Sequence, residues 1–551
     1  MEIFTSILAL LAGIGVFIVG MNFLSSSLQK VAGPGMKKLI GKITQNRFAG
    51  VGIGATVTAL IQSSAATTVM VIGFVNIGTM TLAQATAVIM GANIGTTVTG
   101  LLVSLSSLDI GLYISVLAFI GVMMQFINNP KVKNIGGIVC GIGLIFIGLD
   151  LMSGAFNNDA IKEVVQNIFS NISFPLLLLL LGIIFTAVMQ SSSAMTGLII
   201  VMVASGALTL KSGLFIILGA NIGTCVTALI ATIGTNTNAK RTGLIHLMFN
   251  VIGVVLFTII LWIFQDPIVT FLDNTIQNVS YEIAVFHVVF NVTTTLLLLP
   301  FINLLVKITE KLIREKPDKR AKVIKFIDRR LLRTPSIAFA QVHKEIENMA
   351  SLARINFEKG VYELLNQTGE YEKEINERED EIDYMNNIIT KFLIDLSPLV
   401  DSDTEKQIGS YFHVVNDIER IGDYAQNFLD DSIKMKNQEI AFSDAAKKEL
   451  TQMYENLLKM FDIALKRFNN ERDANSSLVT LSELESLTDQ YKEEFSINHF
   501  ERLAQNSCTM ELGAFYTSII ANLERIGDHI VNIGFSVKNP TGDESIPVLA
   551  Q

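Results

Sequence analysis

Slid along itself by 128 residues, the first part of this chain falls on the second. Gln62-Ser63-Ser64 meets Gln190-Ser191-Ser192, and Gly91-Ala92-Asn93-Ile94-Gly95-Thr96 meets Gly219-Ala220-Asn221-Ile222-Gly223-Thr224 without a mismatch. Thr58, Thr68, Gly78, Thr81 and Thr99 meet Thr186, Thr196, Gly206, Thr209 and Thr227, while Gly13, Gly15 and Gly20 meet Gly141, Gly143 and Gly148. One register held through separate motifs marks a duplication. The duplicated stretch is also apolar, with no charged side chain between Arg47 and Asp109. Each copy therefore reads as a set of membrane helices.

Charge divides the chain in two. Residues 1–306 hold 19 charged side chains and the rest of the 551-residue chain holds 74. The first part reads as a polytopic membrane domain and the second as a soluble helical one. The fold class is all-α throughout, with spans in the plasma membrane and the C-terminal domain in the cytoplasm. Residues 3–24 read as a retained first helix, because the start MEIF has no basic region. A net charge of −9 argues against nucleic acid as a partner. Three cysteines, Cys140, Cys225 and Cys508, make neither a disulfide framework nor a zinc site.

Orientation follows from the basic residues. Lys30, Lys37, Lys38, Lys42 and Arg47 place the loop 25–50 in the cytoplasm, whereas its repeat partner near 153–178 holds Asp159, Lys162 and Glu163. Lys131, Lys133, Lys240 and Arg241 fall on further inside loops, and Asp109, Asp266, Asp273 and Glu282 on outside ones. The two repeats, about 5–127 and 133–262, are then inverted, and an extra span at 283–306 returns the chain to the cytoplasm. Inverted repeats with interrupted helices build secondary transporters, whose substrates bind at the midplane. The alternative is a duplicated structural bundle with hydroxyls at close helix contacts. Runs of consecutive polar residues cannot all face one neighbour, so they favour helix breaks that line a cavity.

The breaks supply Gln62, Ser63, Ser64 and Thr67 in one repeat and Gln190, Ser191, Ser192 and Ser193 in the other. Their hydroxyl, amide and bare carbonyl oxygens suit a small hard cation such as sodium. Helix N-termini with Ser and Thr donors suit an oxyanion. No Lys or Arg lies in 51–105 to neutralise that anion, so a co-bound cation would couple the two solutes. In GANIGT, Asn93, Thr96, Asn221 and Thr224 add oxygens, while the glycines fit helix packing as well as a site. Asp150 is either a functional carboxylate or a helix-end group near the outer surface. His246, Asn250, His287 and Asn291 read as interhelical hydrogen-bonding groups.

With QSSAATT, QSSSAMT and the paired GANIGT, the region 5–305 resembles the sodium–phosphate cotransporter family. The resemblance implies sodium-coupled movement of inorganic phosphate by alternating access, with Gln62, Ser63, Ser64 and Gln190–Ser193 binding phosphate and sodium. Ala65 and Ala66 depart from the longer serine run common there, leaving one hydroxyl fewer in that half.

Residues 307–339 form a basic linker with Pro317 and Pro335, suited to lie against anionic headgroups. From 340 to 540 the pattern is amphipathic helix, and it too is duplicated: DIERIGDYAQN at 417–427 recurs as NLERIGDHIVN at 522–532. Tandem three-helix bundles near 340–435 and 445–540 follow. Glu379 and Asp383, Glu419 and Asp423, Glu485 and Asp489, and Glu524 and Asp528 each put two carboxylates one turn apart on one face. Such pairs could hold a divalent metal, or form surface salt bridges with Arg420 and Arg525. The duplicated ERIGD resembles the PhoU family, which implies metal-binding acidic motifs and a regulator of phosphate flux. A homo-oligomer through this domain is compatible with the sequence and not required by it. No nucleotide loop or Ser/His/Asp arrangement suggests an enzyme. The competing readings are a carrier of another small anion, and a phosphate sensor that signals through the bundle.

Overall fold

The computed structural model describes residues 2–40, 46–107, 111–170, 172, 174–314, 323–469 and 474–536. It is helical, with no strand among the described residues. Two compact units share the chain: Met1–Lys319 with Asp328–Ile337, and Arg320–Ile327 with Ala338–Gln551.

The first repeat runs through α1 (Glu2–Ile40), α2 (Arg47–Ile61), α3 (Ser64–Asn76), α4 (Leu82–Ser104) and α5 (Gly111–Gln125). The second holds α6 (Pro130–Phe156), α7 (Asp159–Ser170), α8 (Pro175–Met189), α9 (Ser192–Ala204), α10 (Leu210–Gly223) and α11 (Cys225–Ala231). Then come α12 (Thr237–Ile276), α13 (Val279–Leu298) and α14 (Ile302–Leu312). Among the described residues six helices are long and apolar enough to cross a membrane. Phe119, Ile259, Ile263 and Leu296 stand exposed on their outer faces. That is how a bundle solvated by lipid presents itself.

The equivalent helices α1 and α6 pack against each other in antiparallel fashion. A Cβ on Gly13 would stand 2.7 Å from Met152 and 2.9 Å from the Gly148 carbonyl, and one on Gly20 2.9 Å from the Gly141 carbonyl. Since Gly13 corresponds to Gly141 and Gly20 to Gly148, the two contacts exchange when the repeats exchange. Glycine is required here because the backbones touch.

The interrupted helices fold back as hairpins. α2 and α3 have 15 and 13 residues, about 22 and 20 Å at 1.5 Å per residue, too short to cross ~30 Å of hydrocarbon. Thr58, one turn before the break, donates to Thr67 Oγ1, one turn after it, at 2.9 Å. That is possible only if the second helix returns beside the first. Both open ends of this hairpin meet one end of the α12–α13 pair: Arg47 reaches the Pro300 carbonyl at 3.3 Å, and Asn76 bonds Asn236 at 2.8 and 2.6 Å. The α8–α9 hairpin meets the opposite end, where Ser205 lines one cavity with Asn278 and Ser280, and Gln166 of α7 bonds the Gly206 carbonyl at 2.8 Å.

Several charged residues stand elsewhere than in loops. α12 kinks at Phe264, three residues before Pro267, and continues as helix, so Asp266 and Asp273 are helical. Glu282 lies in the first turn of α13, buried behind the Asn278 cap. Lys131 and Lys133 open α6 and Lys240 opens α12. Arg241 is buried and donates to the Ile313 carbonyl at 3.0 and 2.9 Å. α1 runs on to Ile40, so Lys30, Lys37 and Lys38 sit on a helix instead of a loop. Asp109 and Lys42 lie outside the described residues.

The second unit is two sets of three helices: α15 (Pro335–Asn366), α16 (Glu372–Leu396) and α17 (Ser402–Asn437), then α18 (Asp444–Phe468), α19 (Ala474–Ala504) and α20 (Met510–Phe535). Phe357, Leu393 and Phe428 fill one core, and Leu457, Phe461 and Leu523 the other. Side chains of Asp401, Ser443 and Thr509 cap α17, α18 and α20. α17 and α20 join the sets, with His529 Nδ1 2.8 Å from Asp417 Oδ1.

Candidate functional site

The two breaks are built alike. Gln62 takes φ 56°, ψ 26° and Gln190 φ 52°, ψ 23°, the left-handed region, and each amide bonds back to a threonine carbonyl, Thr58 at 2.7 Å and Thr186 at 2.8 Å. A non-glycine residue in that region is uncommon and costs about 1 kcal/mol; here it occurs twice at equivalent places. The next serine is extended and caps the returning helix, Ser63 Oγ accepting from Ala66 N and Ser191 Oγ from Ala194 N, both at 3.2 Å. The caps leave each hydroxyl hydrogen free to donate. The leading amides of α3 and α9 face the gap with the positive ends of their helices, and the last carbonyls of α2 and α8 offer oxygens. One tip can thus hold an oxyanion on its donors and a hard cation on its acceptors.

The tips meet through α4. Thr99 Oγ1 donates to Gln62 Oε1 at 2.9 Å, and Ser193 Oγ donates to Thr99 Oγ1 at 3.3 Å. Ser64, Thr67 and Ser192 are buried; Gln62, Ser63, Ser191 and Ser193 are half-buried; Gln190 is exposed. From α1, Ser25 donates to the Ile61 carbonyl at 2.5 Å and receives Gln29 at 3.2 Å.

In the helical bundle, Glu379, Asp383 and Asp423 bring carboxylate oxygens within 4.8 Å of one another. Burial first, then the charges of Asp383, Asp423, Asp380 and Glu419, push the Glu379 carboxyl up to about 7. Glu419 and Asp423 are raised by burial and their acidic neighbours, with Arg420 opposing. Convergent oxygens whose charges strain one another fit a hard divalent cation, which would relieve the repulsion. The second copy is arranged differently. Glu485, Asp489 and Asp528 are raised mainly by burial, but Lys492 pairs with Glu524 at 2.9 Å. Lys492 occupies the place of Asn386 and supplies a cation from the chain itself.

The sequence profile of the Na+/Pi-cotransporter family matches residues 16–154 and again residues 155–303. The chain belongs to the Na+/Pi-cotransporter family. A PhoU domain is matched at 346–431 and at 450–537. YjbB of Escherichia coli K12, provisionally assigned to inorganic phosphate export, is 25% identical over 98% of this chain and 99% of its own. The uncharacterised YqeW of Bacillus subtilis is 29% identical over 54% of this chain and 96% of its own. Human sodium-dependent phosphate transport protein 2B is 34% identical over 22% of this chain and 19% of its own. No solved structure matches.

Within this cotransporter fold, the structure brings Gln62 and Ser193 together and sets Ser63 and Ser191 at equivalent tips. Asn93 and Asn221 instead bond their own helices, to Ile89 O at 3.0 Å and Ile217 O at 2.9 Å. Thr96 and Thr224 do the same, to Ala92 O and Asn221 O. His287 Nε2 reaches Asn221 Oδ1 at 3.3 Å, an interhelical bond. The GANIGT glycines serve packing: a Cβ on Gly91 or Gly219 would lie 2.0 Å from the carbonyl of Val51 or Leu179. Thr99 and Ser25 carry contacts that no motif announces; for Thr99 the one signal is its match to Thr227 in the repeat. Asp150 lines the cavity beside Ser153, Asn157 and Ser205.

Proposed function

We propose that the chain carries inorganic phosphate across the membrane coupled to sodium, by alternating access between two inverted repeats, with the PhoU part regulating the cycle. The observation that carries this reading is the Gln62–Thr99–Ser193 chain, which links the tips of two hairpins entering from opposite ends of the α12–α13 pair. The exchange-symmetric α1–α6 contact supports inversion, because equivalent helices that run antiparallel are related by an axis lying in the membrane plane. In this reading the α2–α3 hairpin enters from the cytoplasm and the α8–α9 hairpin from outside. Phosphate takes the hydroxyls of Ser63, Ser64, Ser191 and Ser192 and the leading amides of α3 and α9. Sodium takes the carboxamide and carbonyl oxygens at Gln62 and Gln190. The names of relatives, phosphate export and sodium-dependent phosphate transport, point to the same pair of solutes.

The test is flux of radiolabelled phosphate in proteoliposomes, with a sodium gradient against a potassium control. Accumulation that needs sodium, competed by arsenate and not by sulfate, is the expected result. Phosphate movement that ignores sodium would remove the coupling and leave a uniporter.

A further inference from the structure

The repeat can be used to compare the two faces of the membrane unit. At the outer end, on the topology proposed above, a cavity of about 460 Å³ lies against α6, α9 and the start of α13. Its wall includes Val201 and Ala204 of α9, and Ser106 and Gly111 from the other repeat. Moved by the 128-residue register, these positions become Gly73 and Asn76 of α3, with Gly234 and Ala239, at the inner end. At that counterpart Asn236 of the second repeat bonds Asn76, and a further cover comes from outside both repeats.

The cover is the segment Asp328–Thr334, a short 3-10 turn that belongs to the membrane unit although it precedes the bundle directly. Leu331 is fully buried, its Cδ2 3.2 Å from where a Gly73 Cβ would stand. Asn76 donates to Asp328 Oδ2 at 2.6 Å. Arg330 donates to the carbonyls of Ala231 at 2.6 Å and Ile233 at 2.9 Å, just before Gly234, and pairs with Asp328 at 2.9 Å. The anchors at Gly73, Asn76 and Ile233 therefore fall on, or beside, the inner equivalents of residues that line the outer cavity. Arg330 occupies backbone acceptors at a helix end, where a cation is favoured. Gly73 provides the room for Leu331 that Val201 would not.

We propose that Asp328–Thr334 is a plug that closes the cytoplasmic entrance of the transport path, and that the bundle, whose first helix begins at Pro335, controls the path by seating or withdrawing it. This inference rests on the transport reading. Withdrawal exposes one apolar side chain and frees three anchoring groups, a scale that a conformational change in the attached domain can balance.

The test uses the full chain in proteoliposomes with Gly73→Cys and Leu331→Cys on a Cys508→Ser background, the other two cysteines being buried. Leu331 Cγ lies 3.5 Å from the Gly73 Cβ position, where a bridging sulfur can sit. Oxidation should lock the plug and cut phosphate flux about tenfold or more, with recovery on reduction. Arg330→Ala with Leu331→Ala should raise flux above the unmodified protein and speed amide exchange over Gly73–Ile77, leaving exchange at Ala204–Gly206 unchanged. Equal flux in the oxidised and reduced forms overturns the plug and leaves the transport reading standing. If no form moves phosphate, the transport reading fails, and exchange then decides the cover alone: faster exchange in the double variant keeps it as a releasable seal, unchanged exchange removes it.

Discussion

Ser63 and Ser191 cap a helix with their lone pairs and keep a hydroxyl hydrogen free to donate. Ser63→Ala with Ser191→Ala costs about 1 kcal/mol of helix capping at each site, within what a folded domain tolerates. Phosphate flux should fall at least about tenfold, since each lost hydrogen bond to an anion is worth roughly 1.5–3 kcal/mol. Unchanged flux in a folded double variant would exclude these hydroxyls from the site. The serines are legible as a pair because the repeat supplies the comparison. Thr99 and Ser25 are not, because a lone hydroxyl in an apolar helix reads the same whether it bonds its own turn or a partner. In the bundle, the raised Glu379 carboxyl sets a pH dependence. Below about 7 a metal must displace its proton, so affinity for Mn2+ should weaken by up to about tenfold per pH unit. Glu379→Gln should lower the affinity and flatten that slope. Calorimetric titration of the purified chain checks both, and a slope equal in the two proteins would place the metal elsewhere.

Among the elements, the α2–α4 and α8–α10 pairs carry the hairpins, and their closeness is set by glycine. Gly91→Ala or Gly219→Ala would drive a methyl to 2.0 Å from a backbone carbonyl. No rotamer relieves that contact, so the helices must part. A loss of about 1–3 kcal/mol or more is expected from overpacking, read as a lower midpoint in a thermal melt in detergent. Gly15→Ala is the control, because its Cβ would meet nothing within 4 Å. Equal midpoints for all three would separate GANIGT from packing. The all-α class and the tandem sets of three in the bundle are visible in hydropathy and period. The folding back of α3 beside α2 is not, since 15 and 13 apolar residues fit one kinked span as well as two half-spans. Only a contact such as Thr58 to Thr67 decides it. The helical setting of Asp266 is hidden likewise, because an acidic residue beside Pro267 reads as a loop.

For the whole molecule, the question is which way phosphate moves. Residues 51–105 contain no Lys or Arg, and burying an uncompensated oxyanion among their helices would be expensive. On the proposed coupling, a sodium ion bound with it would lower that cost, so the empty and the jointly loaded carrier would be the forms that reorient readily. Net direction then belongs to the gradients, and a relative named for export and one named for sodium-dependent transport need not differ in mechanism. Proteoliposomes preloaded with phosphate and sodium should release phosphate into sodium-free buffer, and the same vesicles with the sodium gradient reversed should take it up. The two rates should differ by no more than about tenfold, because one barrier serves both directions and the plug shifts how often it is crossed. Release that persists at equal rate against an inward sodium gradient would mean the cation is not bound in the reorienting form. Neutralisation would then have to come from the protein itself, for which Asp150 has the wrong sign and Lys211 and Lys162 are the nearest cations in sequence to the second break.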